Sequence, residues 1–254
     1  MLSSSITLIA VPGIPHVHAG DDVAALLLDA LGRAGLALQD GDVLAVAQKI
    51  VSKAEGRQVQ LADVTPSARA VELAGQVGKD ARLMELILRE SVEVSRLRPG
   101  VIIVRHRLGF TSANAGIDRS NVQTESGEAE AVLLLPLDPD ASAVALCAAL
   151  RAATGAAVGV VITDSHGRPF RLGTVGVAIG VAGLPALWDR RGEADLYGYR
   201  LQHTDVGLAD EIAAAAGLLM GQAAEGRPAV LIRGLRLPPA EGRATDLVRP
   251  PELD

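Results

Sequence analysis

Short aliphatic runs, each closed by turn residues and spaced by amphipathic stretches, constrain this chain more than any other feature. Ile6–Val11 reads as a buried strand stopped by Pro12-Gly13, and Val43–Ala47 as another after the turn signal Asp40-Gly41. Val101–Val104, Ala131–Leu135, Ala157–Thr163 and Ala229–Ile232 read the same way. Between them the periodicity predicts a helix over Val23–Ala34, with Asp21 or Asp22 as cap and Gly35 as stop. A second starts at Thr65-Pro66, a third covers Asp80–Val94, a fourth covers Ser142–Ala153 with Asp140 as cap, and a fifth covers Ala209–Met220. Strands alternating with helices predict an α/β (mixed α+β) fold. With 254 residues, no repeat and no long linker, a single domain is expected over 1–254, with room for two closely packed subdomains.

Aromatic residues are 2% of the chain, so its core must be aliphatic and it has little with which to stack bases. The 24 basic residues fall short of the 30 acidic ones, a net charge of −6 that argues against a general nucleic-acid binder. Cys147 is the only cysteine, which excludes an intramolecular disulfide and a multi-cysteine metal site. Met1–Pro15 lacks a basic n-region, and Val175–Trp188 is interrupted by glycines and a proline. Neither a signal peptide nor a membrane span is therefore expected, and the protein is expected in the cytoplasm.

Three polar segments could carry chemistry. Gln48–Gly56 follows a strand and holds two of the three lysines, Lys49 and Lys53, in a chain that otherwise uses arginine. Compact ammonium groups at a strand end suit phosphate, although a solvated turn would look the same. The irregular stretch 109–127 centres on Asp118, with Asn114, Ser120 and Asn121 around it; a lone acid there also suits an Asx turn. The third is Thr163–Arg171, where Asp164 ends an apolar strand and Ser165 adds a second hard oxygen, a pairing suited to Mg²⁺ or Mn²⁺. His166 reads as an ordinary loop histidine. No Walker loop, G-x-G-x-x-G or G-x-S-x-G string is present.

Taken in order, Lys49-Ile-Val-Ser-Lys-Ala-Glu-Gly56, Asn114-Ala-Gly-Ile-Asp-Arg-Ser-Asn-Val122, Leu135-Pro-Leu-Asp-Pro-Asp140, Ile162-Thr-Asp164, Ala178-Ile-Gly180 and Asp195-Leu-Tyr-Gly198 resemble the coenzyme F420-0:L-glutamate ligases, from about residue 7 to Arg233. The resemblance implies an intertwined homodimer that uses GTP to join L-glutamate to coenzyme F420-0, then adds γ-linked glutamates. Its partners would be these small molecules, with no nucleic acid and no membrane. The implied cations are two Mg²⁺ or Mn²⁺ ions, with K⁺ as an accessory.

By motif position, Asp118 and Asp164 would hold one metal, and Ser165 and Gln222 would help to hold a second. Lys53 and Asn121 would contact GTP, together with Gln48, Lys49, Ile14, Pro15, His16, Val17, Met220, Gly221 and Gln222. Asp118, Asp164 and Lys53 would serve the reaction, which passes through an acyl phosphate. The chain departs from the family pattern in three places. Gln48-Lys49 stands where relatives often have small hydroxyl residues, Ser165-His166 where threonine and an aromatic or methionine are commoner, and Gln222 where an acid can stand. Some relatives carry a fused C-terminal flavin domain; a stand-alone form is expected here. The competing expectations are a GTP-using ligase for another carboxylate, and a nucleotide-binding protein without catalysis.

Overall fold

A computed structural model describes residues 5–122, 130–238 and 240–250. The part of the irregular stretch over 123–127 lies outside these residues, as do the first four and last four. A five-stranded sheet forms the centre, built from β1 (Thr7–Ala10), β2 (Val43–Ala47), β8 (Gly159–Arg168), β9 (Arg171–Ala182) and β12 (Ala229–Arg233) in the order β1-β12-β2-β8-β9. Only the β2–β8 pair is parallel.

Alternation divides the side chains of this sheet between two covered faces. Leu44, Val46, Val160, Ile162 and Leu231 pack under α1 (Val23–Arg33), α2 (Gln48–Ala54) and α5 (Pro139–Thr154). Val43, Ala45, Val161, Val230 and Ile232 pack against α6 (Leu208–Met220). A third aliphatic cluster lies outside this sandwich. Leu61, Met84, Ile87, Ile102, Val104 and Val132 join α3 (Ala68–Val77) and α4 (Ala81–Arg89) to β3 (Gln58–Gln60), β5 (Val101–His106) and β7 (Ala131–Leu133). Between α4 and β5 runs β4 (Ser91–Arg98). After β5 comes β6 (Thr111–Ala113), and β10 (Trp188–Asp189) pairs with β11 (Asp205–Val206).

The glycines of β9 explain how both helices approach that strand so closely. A methyl group on Gly180 would stand 2.2 Å from the Pro139 carbonyl oxygen, and one on Gly176 would stand 2.3 Å from that of Ala213. Gly180→Ala is therefore expected to lose about 1–3 kcal/mol, the usual cost of overpacking. A urea midpoint equal to that of the unsubstituted protein would contradict this contact.

Several local expectations need correcting. Ser67, not Thr65, caps α3, its hydroxyl accepting from Ala70 N at 3.2 Å. The helix predicted to reach Val94 stops at Arg89, because Ser91–Arg98 pairs with β5 instead. Asp138, not Asp140, caps α5, while the Asp140 carboxylate accepts from Val181 N and Ala244 N at 2.9 and 2.8 Å. Asp164–Arg168 is not a loop after β8 but its continuation, paired with Arg171–Val177 across a hairpin. No described helix is long and apolar enough to cross a membrane.

Candidate active site

Strand direction brings the candidate segments to one end of the sheet. Parallel β2 and β8 are aligned with Ala47 opposite Thr163, so Gln48 and Asp164 follow at neighbouring carboxyl ends. Ligands gather at such ends in α/β sheets. Antiparallel β12 begins at the same end, where Ala47 N donates to Pro228 O at 2.8 Å. The chain also leaves β1 there, with Val11 N donating to Ala229 O at 2.9 Å. Topology alone therefore gathers 11–18, 48–53, 164–166 and 220–228.

Asp118 arrives from the third cluster. Its backbone exchanges two hydrogen bonds with Leu133, both 2.9 Å, and Ala115 and Gly116 take positive φ in the turn before it. The Asp118 carboxylate then meets α2. Its Oδ2 accepts from Gln48 Nε2 at 2.6 Å and bears the Lys49 ammonium. Ser52 donates to Gln48 Oε1 at 2.7 Å, which fixes the amide with its nitrogen toward the acid. Burial raises the Asp118 pKa and so does the nearby Asp164 charge, while Lys49 and Gln48 oppose them. The Asp164 carboxylate therefore lies near enough to act on Asp118. On the other carboxylate, Oδ2 of Asp164 lies 2.9 Å from His166 Nε2, whose ring leans on Phe110 with centroids 5.0 Å apart.

Two hard carboxylates placed near one another are a donor pair for a divalent cation. No group of three or more His, Cys, Asp or Glu side chains forms a metal cage among the described residues. Mg²⁺ does not need one, since it takes one or two carboxylates and fills its shell with water and substrate phosphate. Each acid has its Oδ2 held by a neighbouring side chain, Gln48 for Asp118 and His166 for Asp164. The donor set fits one such ion.

The chain matches the family model described as F420-0:Gamma-glutamyl ligase over residues 13–234. It belongs to that family. A protein of Methanothermobacter thermautotrophicus named Coenzyme F420:L-glutamate ligase is 51% identical over 98% of both chains. Proteins of the same name from Methanopyrus kandleri and Methanocaldococcus jannaschii are 48% and 43% identical. They cover 96% and 85% of this chain, and 94% and 85% of their own.

The remaining motif positions of this ligase family chain lie on α2, in the Asp118 loop, on β8, in the turn after α6 and in the loop after β1. Lys53, one helical turn beyond Lys49, has its pKa lowered by burial and by repulsion from Lys49. Asn121 donates from Nδ2 to Ala223 O at 3.0 Å, tying the Asp118 loop to the turn after α6. Met220 closes α6 and receives the Thr163 hydroxyl at 3.7 Å; Gly221 follows with positive φ, and Gln222 is exposed. Strand alternation sets Ser165 on the α6 side of β8, opposite Asp164. In the loop after β1, Ile14 and Val17 pack into the core while Pro15 and His16 face solvent.

The sequence reading missed the imidazole–phenyl stack. His106 is fully buried, lies parallel to Phe110 at 5.2 Å, and continues through Phe110 to His166. His166 also lines a cavity of about 490 Å³ with Phe110, Val177, Asp138 and Asp210. The scarcity of aromatic residues was the available signal, because one of only two phenylalanines is placed here.

Proposed function

We propose that this chain joins L-glutamate to coenzyme F420-0 through an amide bond, driven by GTP, and then extends it with γ-linked glutamate. The observation that carries the reading is that Asp118, held by Gln48 and Lys49 of α2, is brought to the strand end where Asp164 lies, in a chain of this family.

Amide formation from a carboxylate needs a leaving group on the acyl carbon. In the proposed sequence, a carboxylate oxygen of the coenzyme attacks the γ-phosphorus of GTP and the bond to GDP breaks, giving an acyl phosphate. The glutamate amine then attacks the acyl carbon, loses its proton, and expels inorganic phosphate. Such phosphoryl transfer needs positioning and charge neutralisation more than a protein nucleophile. Asp118 and Asp164 would hold Mg²⁺ or Mn²⁺, which supplies charge neutralisation on the transferring group. The ammonium groups of Lys49 and Lys53 add positive charge, both half-buried on α2. Gln48, braced by Ser52, holds Asp118 in place, and His166 does the same for Asp164. Asn121 and the 220–223 turn wall the nucleotide side, and the cavity beside His166 gives the organic substrates room.

The family's second cation would fall to Ser165 and Gln222, both neutral donors. The proposal extends to a homodimer, supported by the exposure of Phe170 and Leu172 at the tip of the β8–β9 hairpin, apolar groups that a monomer leaves in water.

Mass spectrometry of the coenzyme after incubation with purified protein, GTP, Mn²⁺ and L-glutamate tests the reading. Glutamyl mass increments with GDP release are expected. GTP turnover without a glutamylated product would instead favour a ligase for another carboxylate.

A further inference from the structure

We propose that Lys49 is an internal rival of the divalent cation at Asp118, so that the metal site accepts its ion only once nucleotide phosphate has drawn the Lys49 ammonium away. The inference rests on the reading of Asp118 and Asp164 as metal ligands.

The seat of Lys49 is built. Its ammonium bears on the same Asp118 oxygen that accepts from Gln48 at 2.6 Å, and Gln48 is itself 1% exposed and locked by the fully buried Ser52. Asp118 and Lys49 are both about three-quarters withdrawn from water, with side-chain exposures of 25% and 28%. An ion pair of that depth is screened much less than one at the surface.

Charge balance gives the consequence. The Lys49 ammonium already sets one positive charge against Asp118, so the pair Asp118 and Asp164 presents a free divalent ion with less uncompensated negative charge than two acids would alone. Hard cations are held by uncompensated oxygen charge. A nucleotide polyphosphate changes the balance. Lys49 and Lys53 lie four residues apart on α2 and so share a face, and their mutual repulsion is relieved by an anion between them. Lys49 has a flexible four-carbon stem and can leave Asp118 for that anion. Gln48 stays behind and keeps the acid in place. Metal and nucleotide would then bind with strong mutual reinforcement, each favouring the same position of one side chain.

The test measures Mn²⁺ affinity of the full chain by electron paramagnetic resonance of free Mn²⁺, without nucleotide and with saturating GDP. For the unsubstituted protein, weak binding alone and markedly tighter binding with GDP are expected. Lys49→Met should tighten binding without nucleotide by at least about tenfold, the low end of what one apposed charge does to a carboxylate. It should also shrink the gain brought by GDP. Lys49→Arg, which restores a cation, should return the affinity toward its original value. Unchanged or weaker Mn²⁺ binding by Lys49→Met would overturn the inference while leaving the metal ligands standing. Asp118→Asn separates the two claims: if it binds Mn²⁺ as the parent does, the ligand assignment fails and the inference with it.

Discussion

Asp164→Asn is expected to lower ligation turnover by about 10³-fold or more, the scale of removing several kcal/mol of charge stabilisation from a transferring phosphoryl group. The substitution keeps the size of the side chain, and its contact with His166 can persist through the amide. The backbone pairing of β8 with β2 and β9 does not involve this carboxylate. The thermal midpoint should therefore stay close to that of the parent while GDP release with coenzyme and glutamate collapses. Parent-like turnover would remove Asp164 from the reaction.

Glu90→Gln should do the reverse, costing stability more than chemistry. Glu90 sits at the end of α4, 8% exposed, and its two oxygens accept from Arg57 Nη2 and Arg107 Nε, both at 3.0 Å. Those arginines also donate to Leu135 O and Leu137 O at 2.8 and 2.7 Å, so one acid ties the α3–α4 cluster to the segment entering α5. Burial alone would raise the Glu90 pKa, but His106, Arg57 and Arg107 outweigh it and bring it down to about 2 from 4.5. His106 Nε2 lies 3.6 Å from Oε2, beyond a hydrogen bond, so the two arginines are the firm partners. Removing one side of such a buried group typically costs about 3–5 kcal/mol, because the other charges stay buried.

The pH dependence follows in sign. The folded pKa is depressed, so the stabilisation is complete above the unfolded value of 4.5 and is lost as pH falls through about 2. Urea midpoints between pH 6 and pH 2.5 should fall less steeply for Glu90→Gln than for the parent. Parallel curves would show that Glu90 is not the pin.

Much of the fold was legible because the aliphatic runs declare themselves locally. The β2 strand was read with its observed bounds, and the Asp22 cap and the stop at Gly35, which takes φ 69°, follow from local chemistry that needs no tertiary context. The errors lie where distant partners decide. Val94 continues the apolar stripe of α4, yet Ser91–Arg98 is claimed by pairing with β5. Asp164–Arg168 is polar enough to read as loop, but the partner strand arrives through a two-residue turn in which Phe170 takes φ 55°. The seven residues of α2 show no side-chain cap, so the lysine pair read equally as a turn.

The site was legible only as pieces. Motif order named Asp118 and Asp164, but nothing near either one in sequence tells that strand direction brings 164 beside Gln48. Nor does it tell that a bridge to Leu133 brings Asp118 across from another cluster. Glu90 and His106 escaped notice for the same reason: their partners lie 17 to 33 residues away or arrive by stacking.

In the proposed acyl-phosphate route a carboxylate oxygen of the coenzyme is carried off on phosphate. This transfer is tested most directly by supplying coenzyme whose acceptor carboxylate is labelled with ¹⁸O, together with unlabelled GTP and L-glutamate, and measuring the released phosphate by mass spectrometry. One ¹⁸O atom in each inorganic phosphate, matched by amide product and GDP, is the expected result. Unlabelled phosphate, or release of GMP and pyrophosphate, would contradict the acyl-phosphate route.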